Sequence, residues 1–94
     1  LRPNVVDFMH ATSLGESGLT IEEMVIPEAC ELSGKTLVQS NLKKEFGVTS
    51  IGIKKEGQEM SVAPGPDTVL DIGDILVIIG KTQGLENLSK NLSG

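Results

Sequence analysis

Apolar and polar positions along this chain fall into short blocks whose period changes several times. Near the start, Val5, Val6, Phe8 and Met9 recur with rough helical spacing behind Pro3. Proline suits a first helical turn because its missing N–H is not needed there. Thr12 to Gly18 contains Ser13, Gly15, Ser17 and Gly18 and reads as a flexible link. Leu19 to Ile26 is rich in β-formers and ends at Pro27, although Glu22-Glu23 interrupts the alternation. Ser33-Gly34-Lys35 predicts a turn, and Thr36 a cap for a helix with Leu37, Val38, Leu42 and Phe46 as its apolar stripe. Gly47 falls where a helix C-terminus favours a left-handed residue.

Val48 to Lys55 predicts a strand, Lys55-Glu56-Gly57-Gln58 a tight connection, and Glu59 to Ala63 the returning arm of a hairpin. Pro64-Gly65-Pro66-Asp67 cannot continue a ladder and is read as a loop. Val69-Leu70 is short and extended, and Asp71-Ile72-Gly73-Asp74 is a turn. Ile75 to Ile79 is apolar on both faces, as a strand covered on two sides should be. Leu85 and Leu88 then mark a short amphipathic helix, with Asn91 to Gly94 as a frayed tail.

The order is helix, strand, helix, three or four strands, helix. It indicates an α+β fold with a small, mostly antiparallel sheet and helices packed on one face. One helix pair covers one side of the last strand. A second copy of the chain is the expected cover for the other, meeting it through Ile75, Val77 and Ile79. Residues 1–18 are expected to be a linking helix and loop from a preceding domain, with 19–94 forming the domain itself.

Composition narrows the function. The 94 residues fit one domain, with no Trp, no Tyr and two Phe, so the core must be aliphatic. Eight basic against thirteen acidic residues give a net charge of −5. That balance disfavours nucleic acid and anionic membranes, whose affinity comes from clustered Lys and Arg. Aromatic stacking platforms for single strands are missing too. Cys30 is the only cysteine, which rules out an internal disulfide and suits a reducing cytoplasm. The run Ile75–Ile79 is far shorter than the ~20 residues of a spanning helix, and the N-terminus has no apolar signal region. An opening on Leu1-Arg2-Pro3 is expected of a fragment of a longer protein.

Candidate chemistry is sparse. Ala29 to Thr36 fits a relaxed phosphate-loop pattern, with Ala for the first Gly and Gly34-Lys35-Thr36 at its end. A phosphate cradle needs a glycine-rich backbone. Here Glu31 would repel phosphate, and an ordinary turn and cap is the preferred reading. His10 and Cys30 lack any metal-ligand spacing, and a serine triad would depend on His10 alone. The chain is therefore expected to be no enzyme and to hold no metal. Glu16, Glu22, Glu23, Glu28 and Glu31 read as a solvated acidic face. Lys43-Lys44 and Lys54-Lys55 form either a local patch for a small anion or solvated lysines flanking a hairpin.

Several short stretches occur in a telling order: Ser33-Gly34-Lys35-Thr36-Leu37, Phe46-Gly47-Val48, Ile51-Gly52-Ile53-Lys54-Lys55, Pro64-Gly65-Pro66-Asp67-Thr68-Val69-Leu70, and Gly73-Asp74 followed by Ile75 to Gly80. Together they resemble the TrkA C-terminal domain, also called the RCK C-terminal domain, from about Leu19 to Leu88. The resemblance implies a dimeric regulatory domain without chemistry of its own. It would lie at the cytoplasmic side of a potassium channel, uptake system or cation antiporter, behind a nucleotide-binding domain, and would sense a small effector. The alternative it leaves open is a ligand-free dimerisation domain of a transporter, non-potassium solute carriers included. In one branch the effector is cyclic di-AMP. The matching positions here are Leu42, Lys43, Lys44, Thr49, Ser50 and Pro64. Cyclic di-AMP binders resemble Ile-Arg-Ala and Asn-Ile where this chain has Leu42-Lys43-Lys44 and Thr49-Ser50. Lys43 keeps the charge of Arg without its bidentate geometry, and Ser50 gives up an apolar contact with the purine.

Overall fold

Five segments of the chain become strands of one sheet. The computed structural model describes residues 8–13, 17–28 and 30–93. The strands are β1 (Phe8–Ser13), β2 (Leu19–Val25), β3 (Thr49–Lys54), β4 (Ser61–Val62) and β5 (Ile75–Lys81). Their order across the sheet is β1-β2-β5-β3-β4, and every pairing is antiparallel. The most apolar strand is thus central, paired along its whole length with β2 and from Ile75 to Ile79 with β3. Three helices complete the chain: α1 (Leu37–Ser40), α2 (Leu42–Phe46) and α3 (Thr82–Ser93).

Alternation along β5 separates two faces. Leu76 and Ile78 are fully buried, while Ile75, Val77 and Ile79 are only half-buried. Residues paired across the ladder share a face, so Met24 and Ile53, both opposite Leu76, join the buried side. The helices seal that side. Leu85, Leu88 and Leu92 lie at successive helical spacing on α3 and are all buried. Leu42 and Val48 bring α2 and the start of β3 into the same aliphatic cluster, with Cys30, Leu37 and Phe46 packed at its margin. At Gly84 a Cβ would collide with the Phe46 carbonyl oxygen, so glycine lets α3 approach the end of α2. The opposite face carries Ile21, Val25 and the half-buried β5 residues, and no described helix crosses it.

Four sequence expectations change. Phe8 and Met9 lie in a strand, not a helix, and β1 pairs along β2 with an irregularity between Phe8 and His10. Non-local pairing overrides a short apolar spacing that suits either element. Residues 1–7 and 14–16 lie outside the described residues, so the helix start at Pro3 does too. The helix after Thr36 is broken in two by Asn41, whose φ of 54° is left-handed. The returning hairpin arm shrinks to Ser61–Val62. Finally, α3 runs to Ser93, and buried Leu92 anchors the part expected to fray.

Candidate functional site

The helix cap at Thr36 fixes where the candidate site begins. Gln39 N–H donates to Thr36 Oγ1 at 3.2 Å, and Thr36 N–H donates back to Gln39 Oε1 at 3.0 Å. This capping box starts α1 without any glycine-rich cradle. Ala29, the first residue of the phosphate-loop pattern, lies outside the described residues; Glu31 to Gly34 form an ordinary turn leading to the cap. Gly47 closes α2 in the left-handed region, with φ 71°, and turns the chain into β3.

Between α1, α2, the start of β3 and the proline loop lies a groove of about 440 Å³. It brings together all six residues matched through the family resemblance: Leu42, Lys43, Lys44, Thr49, Ser50 and Pro64. Buried Leu42 and Val48 form its apolar floor, with half-buried Leu37 and Pro64 beside them. Lys43 and Lys44 are exposed at its edge, as are Val38, Pro66 and Thr49. Ser50 is different: its Oγ is shielded from solvent and has no hydrogen-bond partner. The lining thus pairs an apolar interior with two cations at the rim, a combination suited to a flat organic anion.

The proline wall is held from behind by backbone bonds. Val38 N–H donates to Pro66 O at 3.1 Å, Leu37 N–H to Thr68 O at 2.9 Å and Gly34 N–H to Leu70 O at 2.7 Å. Lys55 adds a clamp that sequence reasoning missed. Its Nζ donates to Asp74 Oδ2 at 2.5 Å, to Asp71 Oδ2 at 2.9 Å and to Val69 O at 3.0 Å. Asp74 is buried and also accepts from Asp71 N–H at 2.9 Å. Burial alone would lower the Lys55 ammonium. The hydrogen bonds to Asp74 and Asp71, with their charges, outweigh it and hold the pKa above its ordinary value. Of the two alternatives for these lysines, a single four-lysine patch does not form. Only Lys43 and Lys44 reach the groove; Lys55 is engaged by carboxylates, and Lys54 lies opposite Ile75 on the other face.

The expected solvated acidic face is also corrected at one position. Glu22 faces Glu86 of α3, and its Oε2 is shielded without a hydrogen-bond partner. Burial first, and the Glu86 charge second, raise its pKa. The three residues expected at a dimer contact, Ile75, Val77 and Ile79, do lie together on the sheet face without helices. His10 lies in β1. Among the described residues, no group of three or more His, Cys, Asp or Glu could hold a metal ion. No helix among them is long and apolar enough to cross a membrane.

Comparison with known proteins places this geometry. Potassium channel protein 1 of Methanocaldococcus jannaschii is 31% identical over 94 residues, all of this chain but 28% of that protein. The RCK C domain of the potassium transport protein KtrA, solved in complex with cyclic di-AMP, matches 76% of this chain and 80% of its own, with 32% identity and a TM-score of 0.68. The RCK_C domain dimer of S. agalactiae BusR, also solved with cyclic di-AMP, matches 74% and 85% with 27% identity and a TM-score of 0.68. The family model for the TrkA-C domain covers residues 21–93, the whole span from β2 to the end of α3. The chain belongs to the TrkA-C domain family.

Proposed function

We propose that this chain is the regulatory, effector-sensing and dimerisation domain of a potassium or other monovalent-cation channel or transport system, and that cyclic di-AMP is its effector. The observation that carries the reading is the groove, which gathers Leu42, Lys43, Lys44, Thr49, Ser50 and Pro64 from three separate segments. Support comes from the relatives: one is a potassium channel protein, and two solved RCK C domains hold cyclic di-AMP. The domain performs no catalysis. A nucleotide-binding domain precedes it in the parent protein, and through that domain it acts on a membrane-embedded subunit from the cytoplasmic side.

The mechanism is linkage. Two copies meet through the free sheet face around Ile75, Val77 and Ile79. A ligand that fits one relative orientation of the copies better than another biases the pair, and the attached domains follow. A second reading, dimerisation without a ligand, draws on the same half-buried face of β5. Calorimetric titration separates the two. The expected result is a dimer by light scattering that binds cyclic di-AMP saturably at one per dimer, ignores ATP, NADH and Ca²⁺, and loses affinity on Lys43→Ala. A dimer that binds none of these overturns effector sensing and leaves assembly.

A further inference from the structure

The open face of the sheet carries an acid and a base on opposite flanks of its central strand. Residues opposed across a ladder share a face. Glu23 of β2 stands opposite Val77, and Lys54 of β3 stands opposite Ile75, so both lie on the face of Ile75, Val77 and Ile79. Both are half-buried. Among the described residues, neither takes part in an ion pair. Two strand spacings, about 10 Å, and the aliphatic ridge of β5 lie between them.

Two copies laid face to face about a twofold axis have two choices. An axis across the strands sets β2 over β2 and β3 over β3. It brings Glu23 toward Glu23 and Lys54 toward Lys54 of the partner subunit. An axis along β5 keeps each position along the strand and exchanges the flanks, so β2 of one copy lies over β3 of the other. Glu23 and Lys54 differ by one open-face step along β5, about 7 Å, and packed sheets lie about 10 Å apart. The long lysine stem bridges that gap while crossing apolar surface. Charge therefore separates the two stackings: one sets like on like, the other acid on base.

Resting on the proposed second-copy contact, we infer that the two β5 strands lie one over the other and run the same way, with Glu23 of each copy paired to Lys54 of the partner subunit. The contact has an aliphatic centre and two identical charge pairs at its rim. Such pairs fix orientation more than affinity, and they penalise the stacking in which like charges meet.

The test measures the dimer dissociation constant by dilution with light scattering for Glu23→Lys, Lys54→Glu and the double variant, with circular dichroism as the check on folding. Each single reversal is expected to raise the constant roughly tenfold or more, because two attractive pairs become two repulsive ones. The double variant restores both pairs with their signs exchanged and should return to within about threefold of the unmodified chain. An equimolar mixture of the two single variants should dimerise more tightly than either alone. Should a reversal unfold the chain, Glu23→Gln and Lys54→Gln in a double-mutant cycle read the same coupling. Weakening by both single reversals without rescue in the double variant or the mixture overturns the pairing. A dimer indifferent to both reversals overturns it too, and its loss on Val77→Glu would then keep the open face as the contact. An unmodified chain that stays monomeric overturns the second-copy reading, and this inference with it.

Discussion

Removing the Asp74 carboxylate tests whether the Lys55 clamp holds the groove wall. Asp74 is 4% exposed and accepts from both Lys55 Nζ and Asp71 N–H. A hydrogen bond to a charged group contributes about 1.5–3 kcal/mol. Lys55 keeps two further acceptors, Asp71 Oδ2 and Val69 O, and its side chain is 30% exposed, so solvent and those partners recover part of the loss. Asp74→Ala should therefore cost about 2 kcal/mol, which for a domain this size lowers the melting temperature by roughly 8–16 °C. With no Trp or Tyr in the chain, urea unfolding is best followed by far-ultraviolet circular dichroism. The pH dependence has a definite sign. The folded Lys55 pKa is raised, so its stabilisation is complete below the ordinary value of 10.5 and is lost as pH climbs through the folded value. The gap between the unmodified chain and Asp74→Ala should hold at pH 7–9 and narrow at higher pH. A cost under about 0.5 kcal/mol at pH 7, within the range of an ordinary surface substitution, would refute the clamp. So would a double-mutant cycle with Lys55→Met that shows no coupling.

Three further substitutions probe the packing. Gly84→Ala, stabilising in an exposed helix, should here cost about 1–3 kcal/mol in urea unfolding, because the new methyl meets the Phe46 carbonyl and must push α3 from α2. Leu92→Ala should cost about 2 kcal/mol or more and raise amide exchange in the last turn of α3, whereas a frayed tail would show neither. Glu22→Gln should stabilise the domain at pH 7. A carboxylate whose folded pKa is raised lowers stability as pH rises from its ordinary value of 4.5 through the folded one, so the advantage should vanish on acidification below 4.5.

What the sequence discloses depends on how local each cause is. The run Ile75–Ile79 signals a central strand by itself, and Thr36 with Gln39 three residues on signals the cap. The break at Asn41 gives no such sign. The stripe Leu37, Val38, Leu42, Phe46 suits one continuous helix, and only the packed chain shows Asn41 left-handed between two short ones. Leu92 extends the α3 stripe at the right spacing, but the polar residues around it mask its anchoring role. The clamp was hidden for another reason: Asp71 and Asp74 lie 16 and 19 residues from Lys55, and charge pattern carries no information at that separation. No local pattern of residues marks the groove. Family resemblance supplied its six positions, and the fold supplies the reason they can act together: a turn, a helix and a loop converge at the first residues of β3.

Those first residues also join the two proposed contacts. Thr49 pairs with Ile79 and so belongs to the open face of the sheet; Ser50 pairs with Ile78 and so belongs to the helix-covered side. The register irregularity that follows Ser50 sits at the same place. A ligand touching both residues therefore acts one position away from the surface proposed to meet a second copy. On this reading ligand affinity and dimer affinity must be coupled, and the coupling is reciprocal by thermodynamic necessity. Cyclic di-AMP should lower the dimer dissociation constant by the factor by which dimerisation raises ligand affinity. Val77→Glu, which places a charge on the open face beside Ile75 and Ile79, should weaken both together. Dilution followed by light scattering, with and without ligand, reads the first effect, and titration at matched concentrations reads the second. If Val77→Glu yields a monomer that binds cyclic di-AMP with unchanged affinity, the groove works within one chain, and the open face of the sheet has no part in sensing.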